Sequence, residues 1–164
     1  MELPQVQRLV EVMARLRREC PWDAEQTHAS LVQYLVEETC ETVEAIETGD
    51  ADHLREELGD LLLQVIFHAE IAAERDGGFD LDDVAAGIAD KLVARHPYVF
   101  ATGEVPADLN YTWEQRKAVE KGRTSVLEGI PEQLSALARG HKIVSRARSR
   151  RVPIELAAEP ISAD

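Results

Sequence analysis

The fold of this chain is decided by two acidic stretches, Glu37-Glu38-Thr39-Cys40-Glu41 and Glu57-Leu58-Gly59-Asp60, the second of which runs on into Leu61-Leu62-Leu63-Gln64-Val65-Ile66-Phe67. Apolar residues around both stretches recur with the period of a helix. On a helical wheel that starts at Leu31, Glu38 falls inside the apolar stripe. On one that starts at Leu54, with Leu58, Leu61 and Val65 as the stripe, Glu57 flanks it. The sequence therefore predicts two neighbouring helices whose acidic side chains face the core.

Acidic side chains that converge on a core repel one another and lose hydration, and both effects cost free energy. A divalent cation would remove both costs. Ligands that are all carboxylate oxygens, with no paired Cys or His nearby, favour Mg²⁺ or Mn²⁺. One such cluster in a chain with 31 acidic and 18 basic residues would most simply be a solvated helix face. Two clusters on successive helices instead predict a metal site made by Glu38, Glu41, Glu57 and Asp60.

These acids belong to a longer pattern, which resembles the MazG family of nucleoside triphosphate pyrophosphohydrolases within the all-α NTP pyrophosphatase superfamily. The superfamily pattern is EExxE followed by ExxD, and here 15 residues separate Glu41 from Glu57. Two other segments narrow the resemblance to MazG: Cys20-Pro21-Trp22-Asp23 and Arg95-His96-Pro97-Tyr98-Val99-Phe100. The resemblance covers about residues 5–145 and includes Leu127-Glu128-Gly129-Ile130-Pro131.

The resemblance implies an enzyme, a hydrolase acting on acid anhydrides, that cleaves nucleoside triphosphates to monophosphate and pyrophosphate. A bound Mg²⁺ would lower the pKa of a water molecule for attack on phosphorus. Glu37 or Glu56 would orient that water or act as the general base. The residues themselves indicate only a cation site next to a basic helix, and the base preference stays open.

Four residues are expected to bind the substrate: Lys91, Arg95, Trp113 and Lys117. The resemblance carries all four. Helical periodicity from Val84 also places Lys91 and Arg95 on one apolar stripe. Two interpretations follow for this pair: a clamp on the triphosphate, or aliphatic stems that cover core while the charged heads reach water. Trp113 is either a platform near the nucleotide or an ordinary core residue.

The predicted fold is all-α, a four-helix-bundle-like MazG domain assembled as an obligate homodimer or a higher homo-oligomer. Residues 61–67 are apolar on more faces than one intramolecular neighbour can cover, and the resemblance implies sites shaped by helices of two copies. Helices are predicted over about residues 5–19, 27–48, 50–75, 80–96, 111–121 and 132–150. Gly49 should end the second helix, Asp50 or Asp52 should cap the third, and Asp80 should cap the fourth, with Phe79 packing on Val84.

Residues 1–125 are predicted to form the MazG-type domain, with its core at 27–104. Residues 126–164 would form a basic C-terminal helix and a frayed tail after Val152. Many MazG proteins carry two tandem domains, and this chain is expected to hold one and to end where the second would begin.

The composition limits the partners. A net charge of −13 argues against nucleic acid as a ligand, and the basic stretch Arg139–Arg151 is interpreted as a solvated or partner-facing helix. No segment suggests secretion or a membrane, and two isolated thiols favour the cytoplasm. His53, His68 and His141 are interpreted as satisfied or solvated side chains. Glu25-x-x-His28 has the spacing of one half of a di-iron site, which needs a second copy.

Two alternatives to the broad enzyme stay open. One is a narrower pyrophosphatase of the same superfamily, of the dUTP-specific or phosphoribosyl-ATP type. The other is a non-catalytic helical regulatory module whose acids bind a structural cation. Turnover of a nucleotide panel with Mg²⁺ would separate the three.

Overall fold

A computed structural model of the chain describes residues 3–101 and 103–152, and the regular structure in those ranges is entirely α-helical. The predicted all-α class is confirmed. The described helices are α1 (Pro4–Glu19), α2 (Pro21–Glu25), α3 (Val32–Thr48), α4 (Ala51–Ala73), α5 (Leu81–Arg95), α6 (Pro97–Phe100), α7 (Leu109–Glu120) and α8 (Ala136–Ser149). The chain divides into two compact units, Met1–Ala89 and Asp90–Asp164. None of these helices is long and apolar enough to cross a membrane.

The link between α3 and α4 forms as the sequence predicts. Gly49 has a φ of 75° and ends α3, since a left-handed residue there is easiest for glycine. The Asp50 side chain then accepts hydrogen bonds from the backbone N–H groups of Asp52 and His53, at 3.0 and 3.1 Å. These bonds satisfy N–H groups that lack partners within the helix. Because only two residues join α3 to α4, the two helices pack as an antiparallel pair.

The region before α3 differs from the prediction of a helix that starts near Thr27. A short helix, α2, follows Pro21, and turns occupy residues 28–31. Thr27 and Ser30 exchange hydrogen bonds: the Thr27 N–H donates to Ser30 Oγ at 2.9 Å, and the Ser30 N–H donates to Thr27 Oγ1 at 3.1 Å. Such bonds offer the backbone an alternative to the helix, so α3 begins at Val32.

The core of the first unit forms between α1, α4 and the residue that precedes α3. Its buried members are Met13, Leu31, Ile66, Phe67 and Ile71. The predicted stripe on α4 was wrong as the buried face, because Leu58 is 52% exposed and Val65 43% exposed, while Glu57 is 7% exposed. Residues 61–67 of α4 are apolar on nearly every face, so a helical wheel cannot show which face the neighbouring helices cover.

The fourth predicted helix, α5, begins as expected. Asp80 Oδ1 accepts from the Asp83 N–H at 3.0 Å, and Leu81 packs partly against the core. Val84 and Ile88 are exposed in the single chain. The four-helix bundle therefore stays a prediction.

One arginine ties several elements of the first unit together. Arg17 of α1 donates from Nε and Nη2 to the two carboxylate oxygens of Glu74, both at 2.7 Å. Its Nη1 donates to the carbonyl oxygens of Gln26, at 3.1 Å, and of Asp23. The Arg17 side chain is 8% exposed. It therefore fixes α2 and the end of α4 against α1.

The second unit contains α7 and α8, which pack on each other. Asp108 caps α7 by accepting from the Tyr111 N–H at 2.9 Å, and Ser135 caps α8 by accepting from the Ala138 N–H at 3.2 Å. Because Ser135 is the cap, α8 starts about four residues later than predicted. Arg146 is buried and donates to the Glu128 carbonyl at 2.6 Å. The predicted domain boundary at residue 125 stays a prediction, and the predicted frayed tail lies outside the described residues.

Replacing Arg17 should test its role as an anchor. Arg17→Met keeps the stem but removes the paired donors, so we expect a loss of about 1.5–3 kcal/mol in the free energy of unfolding. The matched control is Arg15→Met, which breaks an ion pair of α1 with Glu19 whose partners are 72% and 57% exposed. That change should cost less than about 1 kcal/mol. Urea unfolding of both variants measures the difference, and equal losses would contradict the assignment.

Candidate functional site

Three carboxylates meet between α3 and α4. Oxygen atoms of Glu38, Glu41 and Glu57 all lie within 4.8 Å of one another. Glu38 and Glu41 share one face of α3 because they are three residues apart, and the antiparallel pairing brings Glu57 of α4 to that face. Burial decreases from Glu57 through Glu38, which is half-buried, to Glu41, which is exposed.

The charges of this cluster act most strongly on Glu38. Burial raises the pKa of the Glu38 carboxyl, and the negative charges of Asp60, Glu41, Glu57 and Glu37 raise it further, in that order. Asp60 is therefore close enough to repel Glu38, although its oxygens are not part of the three-carboxylate group. A raised pKa means that the folded protein disfavours the ionised form, so stability increases as the pH falls through the carboxyl range.

The two oxygens of Glu57 differ in their surroundings. Oε1 lies 3.1 Å from Nε2 of His53, one turn earlier in α4. Oε2 is buried and has no hydrogen-bond partner. An unsatisfied buried carboxylate oxygen is costly, and a hard cation is a partner that would satisfy it. The donor set therefore fits a divalent metal.

The two candidates for the general base flank the cluster. Glu37 precedes Glu38 on α3, and Glu56 precedes Glu57 on α4; both side chains are exposed. Glu37 acts on the pKa of Glu38 only as the last of four charges. Neither residue contributes an oxygen to the three-carboxylate group.

Three of the four predicted substrate-binding residues lie together in the second unit, where Arg95 and Lys117 are both close to the ring of Trp113. The Arg95 guanidinium lies 5.0 Å from the centroid of Trp113, and the Lys117 ammonium lies 6.0 Å from it. The ring of His96 is 5.0 Å away and tilted. Lys91, the fourth residue, is half-buried one turn before Arg95 in α5.

Both cations at the Trp113 ring already have carboxylate partners. Arg95 donates from Nε to Glu120 Oε2 at 2.8 Å, and its Nη2 lies 2.7 Å from the same oxygen. The Arg95 side chain is 11% exposed, so its head does not reach water freely. Lys117 Nζ donates to Glu114 at 3.0 Å. Burial acts to raise the pKa of Glu114, but the hydrogen bond and charge of Lys117 outweigh it, and that pKa is lowered.

Several partners in these clusters were missed by the sequence analysis. The pairs His53–Glu57 and Glu114–Lys117 have the i,i+4 and i,i+3 spacings that bring helical side chains together, so the spacing was a usable signal. His68 does prove to be satisfied, but by His28, 2.8 Å away and 40 positions earlier. No local pattern indicates a contact of that range.

Comparisons with known proteins agree with the pattern of acids. The family model described as MazG nucleotide pyrophosphohydrolase domain matches residues 26–100. A nucleoside triphosphate pyrophosphohydrolase of Escherichia coli K12 is 47% identical over 150 residues, which cover 87% of this chain and 57% of that protein. One of Mycobacterium tuberculosis H37Rv is 44% identical over 155 residues, covering 93% of this chain and 48% of that protein. The chain thus spans about half the length of these relatives.

A solved structure supports the same grouping. The crystal structure of a mazG-related protein from Thermotoga maritima aligns with a TM-score of 0.57 at 31% identity. The alignment covers 68% of this chain and 97% of that one. With the acids of α3 and α4 in place, these matches show that the chain belongs to the MazG family of nucleotide pyrophosphohydrolase domains.

Proposed function

We propose that this chain hydrolyses nucleoside triphosphates to nucleoside monophosphate and pyrophosphate in a Mg²⁺-dependent reaction. The observation that carries the proposal is the group of three carboxylates within 4.8 Å, one of them buried with an unsatisfied oxygen. Two similar proteins are nucleoside triphosphate pyrophosphohydrolases, which supports the reaction, although those proteins are longer than this chain. A divalent cation would satisfy the unpaired oxygen and offset the repulsion between the acids.

The proposed metal ligands are Glu38, Glu41, Glu57 and Asp60. When bound, Mg²⁺ would neutralise these charges, polarise the phosphate chain and lower the pKa of a water molecule. Mn²⁺ accepts the same oxygen ligands and is the alternative ion. Burial and then the neighbouring negative charges raise the pKa of Glu38, and a cation would offset those charges. His53 holds one oxygen of Glu57 in place and leaves the other free for the metal.

Glu37 or Glu56 would take the proton of the attacking water. The water oxygen forms a bond to the α-phosphorus, and the bond to the bridging oxygen of the leaving pyrophosphate breaks. Both glutamates are exposed, so either can exchange its proton with solvent after the reaction. Each is adjacent in sequence to a proposed ligand, so the base would be a residue other than the ligands themselves.

Lys91, Arg95 and Lys117 would bind the triphosphate and stabilise the charge on the departing pyrophosphate. In the substrate-free chain, Arg95 is neutralised by Glu120 and Lys117 by Glu114. Substrate phosphates would therefore compete with these two carboxylates. The guanidinium of Arg95 lies against the ring of Trp113, so Trp113 would orient the guanidinium near the nucleotide.

The proposed assembly is a homodimer or a higher homo-oligomer. In the single chain, α3 and α4 expose several large apolar side chains, namely Val36, Val43, Ile46, Leu58, Leu62 and Val65. Exposed apolar residues on two adjacent helices are typical of an interface. A second copy would bury them, as the predicted obligate dimer requires.

Loss of a proposed ligand should abolish turnover. We expect Glu38→Gln and Asp60→Asn to retain less than about a tenth of wild-type hydrolysis with Mg²⁺, because losing a ligand removes several kcal/mol of transition-state stabilisation. The assay uses a panel of nucleoside triphosphates and follows pyrophosphate release, and circular dichroism checks that the helices survive. Turnover of one substrate only would favour the narrower pyrophosphatase. No turnover by the wild type would favour the non-catalytic module.

Removing the Arg95 fork should separate substrate binding from packing. Arg95→Met keeps the stem but removes the bonds of the guanidinium to Glu120, so the melting temperature should fall. The kinetic effect is the deciding readout: kcat/KM should fall at least about tenfold, a loss of about 1.4 kcal/mol. The matched variant Glu120→Gln removes the competing carboxylate and keeps its shape, so it should lower KM. A sharp fall in melting temperature with unchanged kinetics in Arg95→Met would show that Arg95 is structural.

If a second copy covers the exposed apolar residues of α3 and α4, the monomer should not be populated. Sedimentation velocity at micromolar protein should show a dimer or a larger species. Leu58→Glu and Leu62→Glu place charges on the exposed face and should produce monomers, whereas Arg55→Glu, on the same helix at a side chain 80% exposed, should not. A fully active wild-type monomer would contradict the proposal.

A further inference from the structure

The ring geometry of His28 and His68 shows which kind of contact they make. Nδ1 of His28 lies 2.8 Å from Nδ1 of His68, in the turn before α3 and in α4 respectively. The ring planes are 13° apart and the centroids are 5.1 Å apart. The centroid separation exceeds the nitrogen separation by roughly the two centroid-to-nitrogen distances. The rings therefore lie edge to edge in nearly one plane, which is the geometry of an N–H···N hydrogen bond and not of face-to-face stacking.

Proton counting fixes the states that this contact allows. Two bare Nδ1 atoms would direct lone pairs at each other, and two Nδ1–H groups would direct hydrogens at each other. The contact therefore requires one donor and one acceptor. One added proton can bind at the outer Nε2 of the donor ring and leave the bond intact. A second must enter the shared contact and break it, because the acceptor Nδ1 would then carry a hydrogen of its own.

The charged groups of the neighbouring elements are engaged elsewhere. On α1 and α4, Arg17 and Glu74 bind each other. Glu70 of α4 interacts with Glu74, Arg18, Asp80 and Arg17. Asp23 of α2 acts on Arg17, and Glu25 of α2 is exposed; the titratable group of α3 nearest the turn in sequence is the Tyr34 phenol. In the described ranges, no carboxylate forms an ion pair with either imidazole of the pair. Burial lowers the pKa of His68, and the charge of His28 lowers it further.

The two histidines lie at the end of the α3–α4 helix pair where α3 begins. His28 is followed after three residues by α3, which carries Glu38 and Glu41. His68 is on α4, which carries Glu57 and Asp60. The Gly49–Asp50 link joins α3 to α4 at one end of the helix pair. At the other end, the polar contact between His28 and His68 joins the turn before α3 to α4. Sliding or rotating one helix would separate the imidazoles and the carboxylates together.

We propose that His28 and His68 share one Nδ1 proton and act as positioning residues, which hold the start of α3 against α4 and thereby keep the carboxylate cluster in register. The link to the cluster rests on the proposed function, whereas the shared proton does not. Entry of a second proton releases the tie, so the register loosens at acid pH.

The shared proton is tested by NMR of protein labelled with ¹⁵N at histidine. At about pH 7.5, above the ordinary histidine pKa, one Nδ1 of the pair should be protonated and the other should not, with the proton shifted downfield and coupled to both rings. As the pH is lowered until a second proton enters the contact, both Nδ1 atoms should become protonated and the coupling should be lost. His141, which is exposed on α8, is the internal reference. Two Nδ1–H groups, or none, at the higher pH would contradict the shared proton.

The pH dependence of unfolding tests the release. A histidine whose folded pKa is lowered contributes stability above its ordinary pKa, and that stability is lost as the pH falls through the range between the two values. The unfolding constant of the wild type should therefore rise more steeply from about pH 7 to pH 5 than that of His68→Phe, by up to about tenfold per pH unit. His141→Phe should keep the wild-type slope. Equal slopes in the wild type and His68→Phe would overturn the release.

Metal affinity tests the positioning role separately. Mn²⁺ titration at about pH 7.5, where the pair is intact, should show weaker binding in His68→Phe, by about tenfold, a magnitude typical when groups that support metal ligands are lost. Binding should be unchanged in His141→Phe. If His68→Phe does not fold, His28→Phe replaces it, because it removes the other nitrogen of the contact and keeps an aromatic ring. Unchanged affinity would overturn the positioning role. A wild type that binds no Mn²⁺ but shows the shared proton would overturn the proposed function and leave the pair.

Discussion

The antiparallel packing of α3 on α4 is the constraint on which the rest of the site depends. A two-residue link forces the helices side by side, with Gly49 in a left-handed conformation and Asp50 as the cap of α4. Once they are paired, Glu38 and Glu41 must face Glu57. The cluster is thus a consequence of the hairpin, and its repulsion opposes the same packing that creates it. The proposed cation would offset that repulsion.

Neutralisation within the chain is only partial at this cluster. His53 approaches one oxygen of Glu57, but the other oxygen is buried and unpaired. Two basic residues of the second unit, Arg95 and Lys117, have carboxylate partners of their own, Glu120 and Glu114. These features agree with the proposed function, in which a metal ion would bind the unpaired oxygen of Glu57 and substrate phosphates would bind Arg95 and Lys117. The His28–His68 pair adds a neutral means of aligning the two helices without further charge.

Local features of the fold were predictable from the sequence because their causes are local. Gly49 and Asp50 identify the ends of α3 and α4, and Asp80 identifies the start of α5. The start of α3 was not predictable in the same way, since Thr27 and Ser30 form turn hydrogen bonds that compete with the helix. In the single chain, packing buries Glu57 of α4 and leaves its neighbour Leu58 exposed, the reverse of what the helical wheel predicted, because only tertiary packing selects which of two neighbouring positions is covered.

The candidate site shows the same division. The spacing of the acids, with the family resemblance, predicts a site made by Glu38, Glu41, Glu57 and Asp60, and the structure brings oxygens of the first three within 4.8 Å of one another. The counter-ion Glu120 lies 25 positions after Arg95, and His28 lies 40 positions before His68. Contacts of this range depend on how the helices pack, and periodicity within one helix carries no information about them.

Direct measurement of metal binding tests the central claim, that the carboxylates of α3 and α4 form a cation site. Metal-free protein is titrated with Mn²⁺ and followed by electron paramagnetic resonance, with Mg²⁺ added as a competitor. The account predicts saturable binding that Mg²⁺ displaces and that Glu57→Gln abolishes, while Glu44→Gln, at an exposed glutamate of α3, leaves it unchanged. Equal binding by the wild type and Glu57→Gln, or no binding by either, would contradict it.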